Sequence, residues 1–224
     1  MEWYFILLIV LSGLLIWLLL SVLLYRHFFK RLYDIILSGT AIIVLLPLLL
    51  CMIIIGTIVM RGNPFFIQRR PGKKEKIFNL IKFRSMSNLN DEDGNLLSDE
   101  KRLTKYGKFI RKTSLDELPE LFNIFIGNMS FIGPRPLLIE YLPLYSEKQH
   151  HRHDVLPGLT GYAQCHGRNS LTWTERFEMD VYYANNVTLL NDIRIFFKTI
   201  LCVLKRDGIN SDTSVTMEDF TGDN

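Results

Sequence analysis

Residues 35–60 read IILSGTAIIVLLPLLLCMIIIGTIVM, a run of 26 with no charged side chain and with Pro47 at its centre. Twelve residues precede the proline and 13 follow it. Each half would be only about 18–20 Å long as a helix, too short to cross a bilayer alone, whereas the whole run could cross if straight. Both flanks are basic: Lys30 and Arg31 before, then Arg61, Arg69, Arg70, Lys73 and Lys74 after. Cytoplasmic ends of membrane segments are enriched in Lys and Arg, so this pattern favours both ends on one side, in a helix that dips in, breaks at Pro47 and returns. An ordinary kinked spanning helix satisfies the same residues, because membrane helices tolerate proline. The sequence alone leaves the two readings level.

Outward from this run the chain divides in two. Trp3 to Tyr25 carries no charge over 23 residues, about 34 Å as a helix and enough to span. Arg26, Lys30 and Arg31 follow it and only Glu2 precedes it, which places its C-terminal end in the cytoplasm. With no basic residue ahead of the apolar run and no clear cleavage site, it reads as an uncleaved anchor rather than a secretory signal. After Arg61 the composition is that of a globular domain of about 160 residues, large enough for its own core. The expected organisation is an anchor over 1–29, a membrane helix over 30–61 and a soluble domain over 62–224. Cys51, Cys165 and Cys202 form neither a disulfide framework nor a zinc spacing, which fits a reducing compartment. Arg61 to Arg84 holds eight Lys or Arg against the single acid Glu75. Directly after a membrane segment, such a stretch suits anionic headgroups or phosphorylated substrates, and no nucleic-acid partner is expected.

In the soluble part, Pro64–Gln68 and Ile77–Phe83 read as strands joined through Pro71-Gly72. Asn88 to Glu100 is a polar loop and Lys101 to Arg111 a short basic helix. Leu115, Leu118, Phe122 and Phe125 recur at helical spacing, with Gly127 as a stop. Leu137–His151, Trp173–Asn185 and Ile193–Arg206 read as helices, Leu156–Gly167 as loop or short strand, and the tail after Gly208 as loosely held.

The segment richest in chemistry runs from Lys112 to Asn123, KTSLDELPELFN. Asp116 and Glu117 are adjacent acids at a helix start. Ser114 with Glu117 three residues on is a capping-box pattern, and Asp116 as the cap would put Pro119 in the first turn, where it costs little. Capping and catalysis both remain open on spacing alone. In Gly133-Pro134-Arg135-Pro136 two prolines fix the backbone around one guanidinium, which suits bidentate phosphate binding as readily as a rigid surface turn. Pro157-Gly-Leu-Thr-Gly161 and Gly167-Arg168 could bring backbone N–H groups and a charge to an anion. Lys82-Phe83-Arg84 is a basic strand end. His150, His151 and His153 match no metal-ligand spacing. Trp173, Phe177, Tyr182 and Tyr183 suit a core or a membrane face better than a base-stacking platform.

Taken as a set, these segments resemble the monotopic polyprenyl-phosphate phosphoglycosyl transferases, a family of bacterial sugar transferases. The resemblance runs from about Lys30 to the C-terminus. It is carried by Lys30-Arg31 with Asp34, Gln68 to Gly72, Lys82 to Met86, Ser114 to Pro119 with Asn123, Gly127 to Pro136, Pro157 to Gly161, Gln164 with Gly167-Arg168, and Asp180 with Tyr183. It implies a re-entrant helix holding a mostly helical α/β domain with a small sheet on the cytoplasmic face of the bacterial inner membrane, here with an extra N-terminal transmembrane helix. It implies a UDP-sugar donor, undecaprenyl phosphate as acceptor, UMP as leaving group and an aspartyl-phosphosugar intermediate, as the first membrane step of glycoconjugate assembly. Asp116 and Glu117 are the implied catalytic pair, with Glu117 associated with a required Mg2+. Lys82, Arg84, Arg111, Arg135 and Arg168 are the implied substrate-binding residues. The short form and the stretch from Gly167 to Tyr183 look most like the enzymes that begin bacterial protein N-glycosylation with diacetylated bacillosamine. Leu46 stands where family members often carry Ser, so a hydroxyl that could bond a freed carbonyl is missing. Two rival functions are a non-enzymatic module binding anionic lipid and a glycosyltransferase that releases UDP; nucleotide release separates all three.

Overall fold

The computed structural model describes residues 2–89, 91, 93–167, 171–205 and 219–222. The first helix, α1 (Glu2–Leu23), is apolar on every side, and each residue from Trp3 to Leu20 is exposed. A helix that is hydrophobic all round and has no protein around it is suited to lipid. One π-helical turn, Tyr25–Phe29, links it to α2 (Lys30–Met60), and Trp17 meets Phe29 edge-on at 4.9 Å between ring centres. Both α1 and the segment through α2 are long and apolar enough to cross a membrane. Helical conformation continues through Pro47 in α2. The proline costs the helix one backbone bond, to the carbonyl four residues back, without ending it.

One face of α2 is occupied along its whole length. Asp34, Ser38, Leu49, Met52 and Gly56 are buried, and Ala41, Ile42 and Leu45 pack between them. Intervals of three and four residues make this a single stripe. Near its start, Asp34 Oδ1 accepts from the Phe131 backbone N–H at 3.0 Å. In the middle, Ala41, Ile42 and Leu45 meet Leu80, Leu121 and Ile124. Past Pro47, Leu49 and Met52 join Phe83 and Ile110, and Tyr106 donates to the Met52 carbonyl at 3.3 Å.

The hairpin of β1 (Phe65–Pro71) and β2 (Ile77–Phe83) is antiparallel, with Phe65 opposite Phe83 and Pro71 opposite Ile77. The basic helix expected over 101–111 is two pieces, α3 (Asp99–Arg102) and α4 (Lys105–Lys112). Leu103 is extended, and Thr104 caps α4 by accepting from the Gly107 N–H at 2.9 Å. Helix α5 (Glu120–Ile126) is stitched to β2 by fully buried Asn123, whose Oδ1 accepts from Ile81 N at 3.0 Å and whose Nδ2 donates to Asn79 O at 2.7 Å. At the other end of α5, Arg31 of α2 donates to the carbonyls of Ile124 and Phe125 at 2.6 and 2.7 Å. Gly127 stops this helix at φ 99°, a left-handed conformation that glycine adopts without strain.

A second sheet pairs β3 (Ser130–Ile132) in parallel with β4 (Gly158–Thr160). Between them, the single helix expected over Leu137–His151 is a 3-10 segment, Ile139–Leu144, and the short α6 (Glu147–His150). Pro143 lies inside the 3-10 segment, and Ser146 with Gln149 forms a capping box that starts α6 afresh. The chain closes with α7 (Tyr162–His166), α8 (Trp173–Asn185) and α9 (Leu189–Lys205). On α9 Ile195 is buried, whereas Ile193, Phe196, Phe197, Ile200 and Leu201 are exposed.

Of the tail after Gly208, expected to be loosely held, residues 209–218 and 223–224 lie outside the described residues, whereas Asp219 to Gly222 are packed against the domain. Phe220 is 3% exposed among Leu137, Tyr141, Tyr145, Trp173 and Phe177, and Tyr141 donates to Asp219 Oδ1 at 2.9 Å.

Candidate active site

Neither expected cap forms around the acidic pair. Ser114 stands in left-handed conformation at φ 55° and makes no side-chain cap bond. Leu115–Glu117 is a 3-10 turn, and α5 starts after Pro119, again with no side-chain cap. Both carboxylates are thereby left to other partners.

Those partners are cations from three separate segments. Lys82 Nζ reaches Glu117 Oε1 at 2.9 Å and Glu120 Oε1 at 3.0 Å. Arg135 Nη2 reaches the same Glu117 oxygen at 2.9 Å. Arg111 is held by its Nε bond to Ser85 Oγ at 2.8 Å. Asp116 sits among them, yet among the described residues no other side chain bonds its carboxylate. Burial pushes the Asp116 carboxyl up and the charge of Glu117 adds to the rise, while Lys82 and Arg111 pull it down less strongly. For Glu117 burial acts upward too, but Arg135 and Lys82 outweigh it and hold the group well below the usual carboxylate range. Glu120, buried with a share of Lys82 alone, is pushed up by burial. The pair is thus asymmetric: Glu117 is committed to two cations, whereas Asp116, which accepts from its own backbone N–H and from no side chain among the described residues, is raised by its surroundings.

The position of Arg135 follows from its own segment. Gly133 and Gly158 press backbone to backbone, so a Cβ on either would collide with the other's chain. The Gly133 N–H donates to Thr160 O at 2.9 Å. Arg152, 2% exposed, donates to the Arg135 carbonyl at 2.8 Å and to Asp180 Oδ2 at 2.7 Å. A buried guanidinium needs such a counter-charge, and Asp180 on α8 supplies it. The arginine loop is therefore clamped from below while the Arg135 side chain stays partly exposed.

The structure brings together Asp116, Glu117, Lys82, Arg111 and Arg135. Arg84 gives its backbone N–H to Pro64 O at 2.7 Å, and among the described residues its guanidinium has no partner. Arg168 lies outside the described residues. The three histidines diverge: His150 pairs with Glu75 at 2.5 Å, His151 with Asp154 at 2.9 Å, and His153 donates from Nδ1 to Gly72 O at 3.2 Å. Burial holds His153 down at about 4, so it is neutral at pH 7. Sequence reasoning missed Glu120, Ser85 and Arg152. Glu120 was visible as a third acid within the motif, whereas Arg152 was masked by its histidine neighbours.

Among the described residues, no three His, Cys, Asp or Glu converge as a metal centre. Asp116 and Glu117 nonetheless offer hard oxygen donors: among the described residues no side chain bonds the Asp116 carboxylate, and both cations on Glu117 share Oε1. Magnesium is commonly held by one or two carboxylates completed by substrate phosphates and water, and this donor set fits that pattern.

The family model described as bacterial sugar transferase matches residues 25–206, from the π-helical turn to the end of α9. The chain belongs to the bacterial sugar transferase family. As a bacterial sugar transferase, it is 48% identical over 198 residues to the uncharacterized sugar transferase EpsL of Bacillus subtilis (strain 168), covering 86% of this chain and 96% of that one. It is 39% identical over 201 residues to the undecaprenyl-phosphate galactose phosphotransferase of Salmonella typhimurium, covering 81% of this chain and 42% of the relative. It is 37% identical over 182 residues to the UDP-glucose:undecaprenyl-phosphate glucose-1-phosphate transferase of Klebsiella pneumoniae, covering 77% and 39%. The sugar transferase thus matches nearly all of EpsL and about two-fifths of the two longer relatives. The matched span of the family contains the acidic pair and every cation gathered around it.

Proposed function

We propose that the chain is a phosphoglycosyl transferase, moving a sugar 1-phosphate from a UDP-sugar to undecaprenyl phosphate or a similar polyprenyl phosphate and releasing UMP. The observation that carries this reading is an Asp116 carboxylate with no side-chain partner among the described residues, beside a Glu117 fixed by Lys82 and Arg135. The relatives named for undecaprenyl-phosphate galactose and glucose-1-phosphate transfer point the same way.

In this reading Asp116, ionised, attacks the β-phosphorus of the donor. The bond to the bridging oxygen breaks, and UMP departs with its electron pair. An oxygen of the lipid phosphate then attacks the same phosphorus, and the Asp116 carboxylate leaves unchanged. The products are UMP and a lipid diphosphate sugar, with no net proton transfer. Arg135 and Lys82 offset the charge of the phosphates at the reacting end, and Arg111 steadies Asp116 in its ionised form. Arg168 would add to donor binding. Glu117 would hold Mg2+, which when bound would supply charge neutralisation of the diphosphate.

The stripe on α2 supports a location at one face of the membrane. A 31-residue helix is about 46 Å long, and this one rests on the same domain from Asp34 to Gly56. A helix so seated keeps both ends on the side of that domain, as the two basic flanks require. The cytoplasmic face of the inner membrane is the side those charges select. Exposed apolar residues on α9 would meet the interface.

The test is nucleotide release from UDP-galactose, UDP-glucose and UDP-diacetylated bacillosamine with polyprenyl phosphate, with and without magnesium. UMP is expected. UDP would identify a glycosyltransferase, and no release with any donor would leave a lipid-binding module. Asp116→Asn should abolish turnover, and mass spectrometry without lipid should find the phosphosugar on Asp116. Undiminished activity in Asp116→Asn would rule out that nucleophile.

A further inference from the structure

One more cation faces this site, from the other strand of the hairpin. Lys82 stands opposite Phe66, Leu80 opposite Gln68, and Phe78 opposite Arg70. Cross-strand partners and alternate residues along a strand share one face of a sheet. Gln68, Arg70 and Lys82 therefore project from the same face, the one on which Lys82 meets Glu117 and Glu120 and Leu80 packs on Leu121. Arg70 lies two cross-strand rows from Lys82, about 13 Å along the strand.

The Arg70 guanidinium is braced but not satisfied. Its Nη2 donates to Gln68 Oε1 at 2.8 Å, while its Nε is buried without a hydrogen-bond partner. No carboxylate forms an ion pair with it among the described residues. The charged groups bearing on it are Arg135, Glu140 and Glu120. Burial first, and Arg135 next, draw it below the ordinary arginine range, with Glu140 offsetting part of the fall. A guanidinium set beside another, with a buried N–H unused, is unfavourable until an anion arrives to accept from it.

We propose that Arg70 binds the donor phosphate that departs with the nucleotide, as the outer partner of Arg135. The inference rests on the reaction proposed above. Arg135 and Lys82 meet at Glu117, next to the attacking carboxylate, whereas Arg70 neighbours Arg135 and pairs with neither acid of the dyad. Pro71, next to Arg70 on β1, lines one small cavity with Arg135, so in this assignment Arg135 takes the transferred phosphate and Arg70 the departing one. When the bridging P–O bond breaks, the electron pair stays on the departing phosphate, whose charge rises from one negative to two. A guanidinium there binds the product state more strongly than the ground state, and lowers the barrier by the part of that gain present in the transition state.

The test compares full-length wild type, Arg70→Met and Arg70→Lys in detergent, reading UMP release and inhibition of that reaction by UMP and by uridine. Arg70→Met should slow release and weaken inhibition by UMP about tenfold or more, as expected for one lost charge-assisted bond. Inhibition by uridine should be unchanged, because uridine lacks the phosphate. Arg70→Lys should recover part of the loss. If Arg70→Met lowers the melting temperature, the ratio of UMP to uridine inhibition in Arg70→Lys decides instead. Unchanged UMP inhibition, or equal weakening for UMP and uridine, would make Arg70 a brace for the hairpin and overturn the inference. A wild type that releases no UMP would overturn the proposed reaction itself, whereas release of UMP with an indifferent Arg70 removes this inference alone.

Discussion

Lys30 Nζ lies 2.6 Å from Asp192 Oδ2, tying the first residue of α2 to the first turn of α9 across 162 positions of sequence. Asp192 is buried and also accepts from Tyr25 at 2.7 Å and, through Oδ1, from Tyr183 at 2.7 Å. One carboxylate thus joins the linking turn, the membrane helix, α8 and α9. Asp192→Ala strands a partly buried ammonium and the Tyr25 hydroxyl, while Tyr183 keeps its bond to the Ile132 carbonyl, and should cost about 3–5 kcal/mol. A fall in melting temperature in detergent would register it. The double variant with Lys30→Met should recover part of the loss, since no uncompensated charge then remains. Simple additivity of the two would show that the pair does not interact.

The asymmetry of the acidic pair has a pH signature. In the proposed reaction Asp116 acts as a carboxylate, so turnover should fall as pH drops through its pKa. Burial and Glu117 raise that pKa, whereas Lys82 and Arg111 lower it. Removing the charge in Arg111→Gln raises the pKa further and should move the acid limb of kcat/KM to higher pH. An acid limb that stays in place in Arg111→Gln would show that another group controls it.

Topology can be measured directly. In a chain stripped of its native cysteines, single cysteines placed near Lys30 and near Gly62 should both resist a membrane-impermeant reagent applied to intact cells. Pro47→Ala restores the missing backbone donor and favours a straight helix. A fraction of molecules should then label on one flank. Labelling of one flank in the parent chain would establish a full span instead.

The tail contributes to the fold through one ring. Phe220→Ala empties a site lined by five large side chains and should cost about 3–5 kcal/mol. Tyr141→Phe removes the bond to Asp219 and the one from the Phe220 backbone N–H, at about 0.5–1.5 kcal/mol each. Equal melting temperatures for wild type and Phe220→Ala would mean that the ring contributes nothing in solution.

Local signals were legible where they were strong. Thr172 with Glu175 makes the capping box that opens α8, and its expected range, Trp173–Asn185, is the one found. The hairpin was expected from its alternating strands, with β1 extending three residues beyond the Pro64–Gln68 reading. The Leu137–His151 helix failed because Pro143, whose ring and missing N–H disfavour a helix interior, stands in its middle with no long packed face to carry the helix through, as α2 has at Pro47. The site was legible as residue types but not as pairings. Nothing in sequence spacing says that Lys82 spans Glu117 and Glu120, or that Arg152 holds the carbonyl of Arg135, because such bonds are made between segments. Phe220 was overlooked for a related reason: an isolated aromatic in a polar stretch shows no period, and its burial depends on a cage assembled from four other places.

The bonds from Arg31 to the end of α5 have a mechanical meaning. Helix α5 is seven residues long, a rod of about 10 Å. One tip is bolted to α2 through the carbonyls of Ile124 and Phe125, and the other follows directly on Asp116 and Glu117. Cross-bracing by Asn123 onto β2 keeps the rod from pivoting. The height of the Asp116 carboxylate above α2 is therefore fixed by the length of a two-turn spacer, like the needle of a depth gauge.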